Sequence, residues 1–264
     1  MPTYPDYVFS LTTIPGREQD IKATLQTLTA QTVRPAEILI YVPRKYRRPE
    51  LTTVELGELP PGCRVIHVDE DLGPATKVLY AIRDFPDSPI IYCDDDRLYE
   101  PVLAERLLDV AAMNPGMCIA SNAQPVAAYL MYYSLKRDAV YRAKRIASLG
   151  LYNPKRMFKN APLDIVAGFG GVLVESRYFD PRVYDIPENF WLVDDIWLSG
   201  NLALAGTRIA STADRFKSST INTANEANPL HEYVFENMGR EALDRACIEH
   251  FQKNHGIWLN DGGY

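Results

Sequence analysis

The feature that most constrains this chain is a strand–helix alternation that runs from Tyr7 to Ser121. Tyr7–Thr12 is a short apolar run, broken by Ile14–Pro15–Gly16. Gln19–Gln31 then carries Ile21, Leu25 and Leu28 at helical spacing. Ala36–Val42 (AEILIYV) predicts a second strand, and Arg64–Val68 a third after the turn Pro60–Pro61–Gly62. Thr76–Arg83 predicts a helix, and Pro89–Cys93 a fourth strand. Glu100–Met113 predicts a helix with Pro101 in its first turn, and Met117–Ser121 a fifth strand. Repeated βα units of this kind imply an α/β fold, with a mostly parallel central sheet flanked by helices.

Ligands of such sheets bind beyond the carboxyl ends of the strands. Thr12–Arg17, Asp69–Lys77 and Asp94–Asp96 all follow strands, so all three are expected on one rim. The last is the most telling. Three adjacent carboxylates repel one another and add nothing to a core, but a divalent cation at a strand end neutralises them. Mg²⁺ and Mn²⁺ take oxygen ligands, often one or two carboxylates together with substrate phosphates. A solvated acidic turn is the alternative reading.

Other segments add candidate chemistry. Thr12 and Thr13 can offer hydroxyls to a base or ribose, and Arg17 a two-pronged cation to phosphate. Lys77, behind Gly73–Pro74 at a helix start, suits a diphosphate as a point charge, although the segment lacks the glycine pattern of a P-loop. Asp194 and Asp195 follow Phe190–Trp191–Leu192–Val193 where a helix begins. Acidic residues are favoured there by the helix dipole, yet one of them can serve as a base toward an acceptor hydroxyl. Phe190 and Trp191 can stack on a sugar or fill the core. Gly170 and Gly171 admit a close substrate approach or a tight bend. His231 is either a surface histidine or a metal ligand.

The second half is less regular. Asp194–Ala205 predicts a helix closed by Gly206, and Leu230 to Lys253 a long C-terminal helix with local breaks. Lys136–Lys159 holds eight basic residues opposed mainly by Asp138. It is either a solvated face or a contact for an anionic acceptor or the surface of a membrane.

A net charge of −6 argues against general nucleic-acid binding. No segment approaches the roughly 18 apolar residues that span a bilayer, and Met1–Asp6 is no targeting signal. Cys63, Cys93, Cys118 and Cys247 form no CxxC pair, so they are expected reduced, as in a cytoplasmic protein. With no linker or repeat, residues 1–264 are read as a single domain.

Assembled, these residues resemble a GT-A glycosyltransferase. SLTTIPGRE, a helix and AEILIYVP look like its nucleotide-binding half; IIYCDDDRLY looks like its DXD motif; VDDIWLSGNLALAG looks like the acidic start of its acceptor-side helix. A nearer likeness is to the exostosin-like transferase domain, whose tail resembles EALDRACIEHF at Glu241–Phe251, with family-2 transferases as the broader match. The resemblance implies a nucleotide-sugar donor, UDP-linked first, a glycan or lipid-linked acceptor, and Mn²⁺ or Mg²⁺. Within the single domain it implies a nucleotide-sugar half at 1–122 and an acceptor half at 123–264. It implies Asp96 as metal ligand, Asp94 on the nucleoside side and near the metal, Asp95 less defined, and Thr12, Thr13, Arg17 and Lys77 around the donor. Asp195 matches the catalytic aspartate better than Asp194, and the tail favours retention of configuration. Competing readings are a metal-dependent phosphoester or diphosphate hydrolase and a non-catalytic nucleotide-sugar-binding protein.

Overall fold

The computed structural model describes residues 4–149, 152, 158, 161–212, 219–220 and 238–259, with backbone alone at 133, 134, 136, 137, 219 and 220. The expected alternation is present: β1 (Val8–Thr12), α1 (Glu18–Thr29), β2 (Glu37–Pro43), β3 (Cys63–Val68), α2 (Thr76–Asp84) and β4 (Ile90–Tyr92). A short β5 (Arg97–Leu98), α3 (Leu103–Met113), β6 (Cys118–Ala120) and β7 (Ala123–Gln124) follow. The second half contains α4 (Val126–Arg137), α5 (Ala139–Ala147), β8 (Ile165–Val166), β9 (Val172–Val174), α6 (Asp194–Leu204), β10 (Ile209–Ser211), β11 (Ser219–Thr220) and α7 (Arg240–His255).

Seven strands form the central sheet in the order β10-β6-β9-β4-β1-β2-β3. All neighbours are parallel except β9, which runs antiparallel to both β4 and β6. The fold is therefore α/β with a mostly parallel sheet, as the alternation requires. Both faces are apolar because successive strand side chains point to opposite sides. Phe9, Leu11, Ile38, Ile40 and Ile91 meet Ile21, Leu25 and Leu28 of α1 and Leu103 and Leu107 of α3. Val8, Leu39, Tyr41, Ile90 and Tyr92 meet Val78, Leu79 and Ile82 of α2, Trp197 of α6 and Phe251 of α7.

Two elements differ from expectation. Helix α3 starts at Leu103, not Glu100; the Ala104 amide, which a helix from Glu100 would direct to the Glu100 carbonyl, donates to Gln31 Oε1 at 3.0 Å. Glu100 O accepts from Gln31 Nε2 at 2.9 Å, and Pro101 O from the Thr32 amide at 2.8 Å. The described C-terminal helix begins at Arg240; 230–237 lie outside the described residues. All four cysteines are free, three of them buried. Among the described residues no helix is long and apolar enough to cross a membrane.

Candidate active site

Because β1, β2, β3 and β4 are parallel in register, their carboxyl ends share one edge. Strand alternation continues past Cys93 and sends adjacent carboxylates to opposite sides of the sheet. Asp94 turns toward α2, where Lys77 Nζ donates to its Oδ1 at 2.7 Å. Asp95 turns toward α1 and is nearly enclosed, its side chain 6% exposed. Its Oδ2 accepts from Thr13 Oγ1 at 2.6 Å and its Oδ1 from Arg17 Nη1 at 2.8 Å. The Tyr46 hydroxyl fastens the Thr13 carbonyl at 2.9 Å, and Thr24 Oγ1 lies 2.8 Å from the Asp95 carbonyl.

Asp96 is left facing outward, about as exposed as Asp94. It meets Arg17 and Arg97 at ion-pair distances of 3.6 and 3.4 Å, and among the described residues no hydrogen bond reaches its buried Oδ1. Burial, then Asp95 and Asp94, push its carboxyl above the usual range. For Asp94 burial acts in the same direction, but the Lys77 ammonium outweighs it and holds the group below that range.

Lys77 is the centre of the acidic cluster. It is 4% exposed, and its Nζ also donates to Asp194 Oδ2 at 3.0 Å. Burial disfavours its charge, yet Asp194 and Asp94 beside it hold it firmly protonated. Helix α6 presents the acidic pair from its first turn. Asp194 is buried, with Arg240 of α7 4.0 Å from its Oδ1. Arg240 also donates to the Leu192 carbonyl at 2.5 Å and to Asp244 Oδ1 at 3.0 Å, and Tyr129 of α4 closes the chain on Asp244 Oδ2 at 2.7 Å.

Asp195 is half-buried and its Oδ1 accepts the Gly168 amide at 2.9 Å. Burial first, then the Asp194 carboxylate, raise it to about 7, against the opposing effect of Lys77. Gly168 keeps this spot open: a Cβ there would lie 3.2 Å from Lys77 Nζ, 3.3 Å from Asp195 Oδ1 and 3.4 Å from the Tyr92 ring. Among the described residues the buried Tyr92 hydroxyl has no hydrogen-bond partner.

Several expectations change in detail. Lys77 is not free for a diphosphate; the buried Asp194 and the partly exposed Asp94 occupy it. Thr12 and Thr13 spend their hydroxyls internally, on the Tyr41 carbonyl at 2.8 Å and on Asp95. Arg17 is turned onto Asp95 and Asp96. Phe190 is buried among Trp197 and His250, so its ring offers no face to a sugar. Trp191 is also buried, beneath Arg47 and against Gly73. The Cβ positions of Gly170 and Gly171 are filled by Asn122 and Leu103, so these glycines serve packing. His231 lies outside the described residues. Sequence reasoning missed Arg240, Asp244 and Tyr99, whose hydroxyl accepts from the Asp94 amide at 3.0 Å. The spacing of Arg240 and Asp244, four residues apart at a helix start, was the only available signal.

No group of three or more metal-ligating side chains occurs among the described residues. Mg²⁺ and Mn²⁺ do not require one, since one or two carboxylates, water and substrate phosphates complete their shells. Asp94 and Asp96 fit that donor set. The outward Asp96, raised by its neighbours and with an oxygen that no hydrogen bond among the described residues satisfies, is a group that a divalent cation would relieve.

No family model matches the sequence, and no curated protein matches it. Solved structures do match. Glucosyl-3-phosphoglycerate synthase from Mycobacterium tuberculosis, in complex with Mn²⁺, UDP and glucosyl-3-phosphoglycerate, is 13% identical with a TM-score of 0.50. The alignment covers 96% of this chain and 81% of that one. A mannosyltransferase from Pyrobaculum calidifontis, in complex with GDP-Man and Mn²⁺, is 14% identical over 79% of this chain and 55% of that one, with a TM-score of 0.46. S. aureus TarS 1–349 is 12% identical over 80% and 59%, with a TM-score of 0.45. The chain thus spans little more than half the length of the last two. At such identities the likeness is one of fold, and the fold is of the GT-A glycosyltransferase type.

Proposed function

We propose that this chain is a metal-dependent glycosyltransferase that moves a sugar from a nucleotide sugar, UDP-linked first, to a hydroxyl of a glycan or lipid-linked acceptor. The observation that carries this reading is the meeting, at one sheet edge, of the outward pair Asp94 and Asp96 with the raised carboxyl of Asp195. Residues 1–122 would hold the donor and 123–264 the acceptor, within one unit. The exostosin-like assignment rests on IIYCDDDRLY, the helix start at Asp194–Asp195–Ile196 and EALDRACIEHF.

Asp96 and Asp94 would hold Mn²⁺ or Mg²⁺, which when bound neutralises charge on the departing nucleoside diphosphate. Arg17, paired with Asp95 and Asp96, is placed to turn toward a phosphate that displaces Asp96. Lys77 holds Asp94 and Asp194 in place rather than gripping the donor. Asp195 is the base. Its amide partner Gly168 fixes one oxygen, and a value near 7 suits proton acceptance from an acceptor hydroxyl at neutral pH. That role favours inversion over the retention that the tail suggested.

The test is a panel of UDP-, GDP- and CDP-sugars scored by Mn²⁺-dependent thermal stabilisation, followed by product analysis with and without acceptor. Transfer to an acceptor hydroxyl with release of the intact nucleoside diphosphate is expected. Cleavage within the donor pyrophosphate would replace this reading with a hydrolase. Binding without turnover across broad acceptors would replace it with a non-catalytic binder.

A further inference from the structure

Helix α5 (Ala139–Ala147) contributes nothing to either core. None of its residues is buried, and within it only Tyr141 is even half-buried. It is nonetheless well made. Asp138 caps it, accepting the Val140 amide at 2.7 Å and the Tyr141 amide at 3.2 Å. At 100° per residue, Ala139, Val140, Ala143, Ile146 and Ala147 fall on one stripe. Val140 is 60% exposed and Ile146 77%, with Leu149 just beyond the helix at 94%. An uncovered aliphatic stripe on an otherwise well-capped helix is expected to meet something other than water.

The charges say what. Arg142, Lys144 and Arg145 are the only ionisable groups on the helix besides Tyr141, in a chain whose net charge is −6. Arg142 and Lys144 flank the stripe. Arg142 and Arg145, with Ile146 and Leu149, line a recess of about 390 Å³. Two guanidinium groups over two aliphatic side chains match an anionic phosphate joined to a hydrocarbon chain. Tyr141 lies on the opposite, cationic side of the helix, where its hydroxyl accepts from Arg145 Nη1 at 3.0 Å. Tyr141 and Tyr152 have ring centroids 6.1 Å apart, and the Lys144 ammonium lies 5.5 Å from the Tyr152 ring.

We propose that α5 docks on an anionic lipid surface, its aliphatic stripe in the headgroup boundary and its cations on lipid phosphates. This stands whether or not the chain is a glycosyltransferase. Co-sedimentation of the full chain with vesicles tests it, comparing phosphatidylcholine alone with phosphatidylcholine mixed with phosphatidylglycerol. Binding to the anionic vesicles alone is expected, with loss as salt rises toward about 1 M, where the screening length is about 3 Å. The triple variant Arg142→Gln, Lys144→Gln, Arg145→Gln should bind on the order of a hundredfold more weakly. Ile146→Asp should also lose binding. Both variants should keep the native melting temperature, since these side chains are exposed. Equal binding to neutral vesicles, no binding at all, or undiminished binding by the triple variant would overturn the proposal. So would a dimer in light scattering that Ile146→Asp dissolves, since a second copy would then cover the stripe.

Discussion

At the scale of single residues, the molecule assigns different physical states to carboxylates that are neighbours in sequence. Asp95 is locked by Thr13 and Arg17, while Asp94 and Asp96 face outward. Asp194 is ion-paired, while Asp195 is held near 7. As a base, Asp195 must be ionised, so kcat/KM for transfer should fall as pH drops below about 7. Asp195→Asn should cut transfer by roughly 10²–10⁴-fold and leave donor binding intact. Stability carries the opposite sign. The folded protein keeps a proton on Asp195 that the unfolded chain releases near its ordinary value of about 4. The stability this contributes is complete below about pH 4 and lost as pH rises through about 7. Asp195→Asn should therefore melt higher than the native protein at pH 8, with the gain shrinking toward pH 4. Lys77→Met would strand the buried carboxylate of Asp194 and remove the partner of the partly exposed Asp94, and should cost about 3–5 kcal/mol, read from the urea midpoint.

At the scale of elements, α2, α6 and α7 act as one assembly. Lys77 of α2 ties Asp94 to Asp194 of α6, and Arg240 of α7 fastens Leu192, just ahead of α6, through its carbonyl. Arg240→Met should destabilise the fold by about 3–5 kcal/mol, because Asp244 is fully buried beside it. Just ahead of α2, Gly73 sits at φ +62°, and a Cβ would lie 2.3 Å from the Trp191 carbonyl oxygen. Gly73→Ala should cost about 1–3 kcal/mol or more, measured by denaturant unfolding. The strands and helices of this half were legible because their periodicity is local. The shared rim was legible because parallel strands expose their carboxyl ends together. The partners of Lys77 were not, since they lie 17 and 117 residues away and any lysine at a helix start reads as a solvated cation. Phe190 and Trp191 were ambiguous for a similar reason: aromatic residues read alike whether they stack on a ligand or fill a core. The antiparallel course of β9 was equally hidden, because a three-residue VLV strand carries no orientation signal.

At the scale of the whole molecule, an α/β sheet of GT-A type carries an acidic edge on one side of its strands and an exposed basic helix in its second half. The proposed activity depends on that edge accepting a divalent cation and a nucleoside diphosphate together. Asp96 is the residue on which this turns. It is outward, raised by its neighbours and held by long ion pairs, so Asp96→Asn removes repulsion and should leave the fold at least as stable. The deciding measurement is the melting temperature of the native protein and Asp96→Asn, each with UDP, with Mn²⁺, and with both. The native protein should be stabilised by UDP only when Mn²⁺ is present, by roughly 2–3 kcal/mol at about a hundredfold excess over Kd. Asp96→Asn should show no such gain. Mn²⁺-dependent stabilisation by UDP that survives in Asp96→Asn would contradict the assignment of the metal–diphosphate site to this edge.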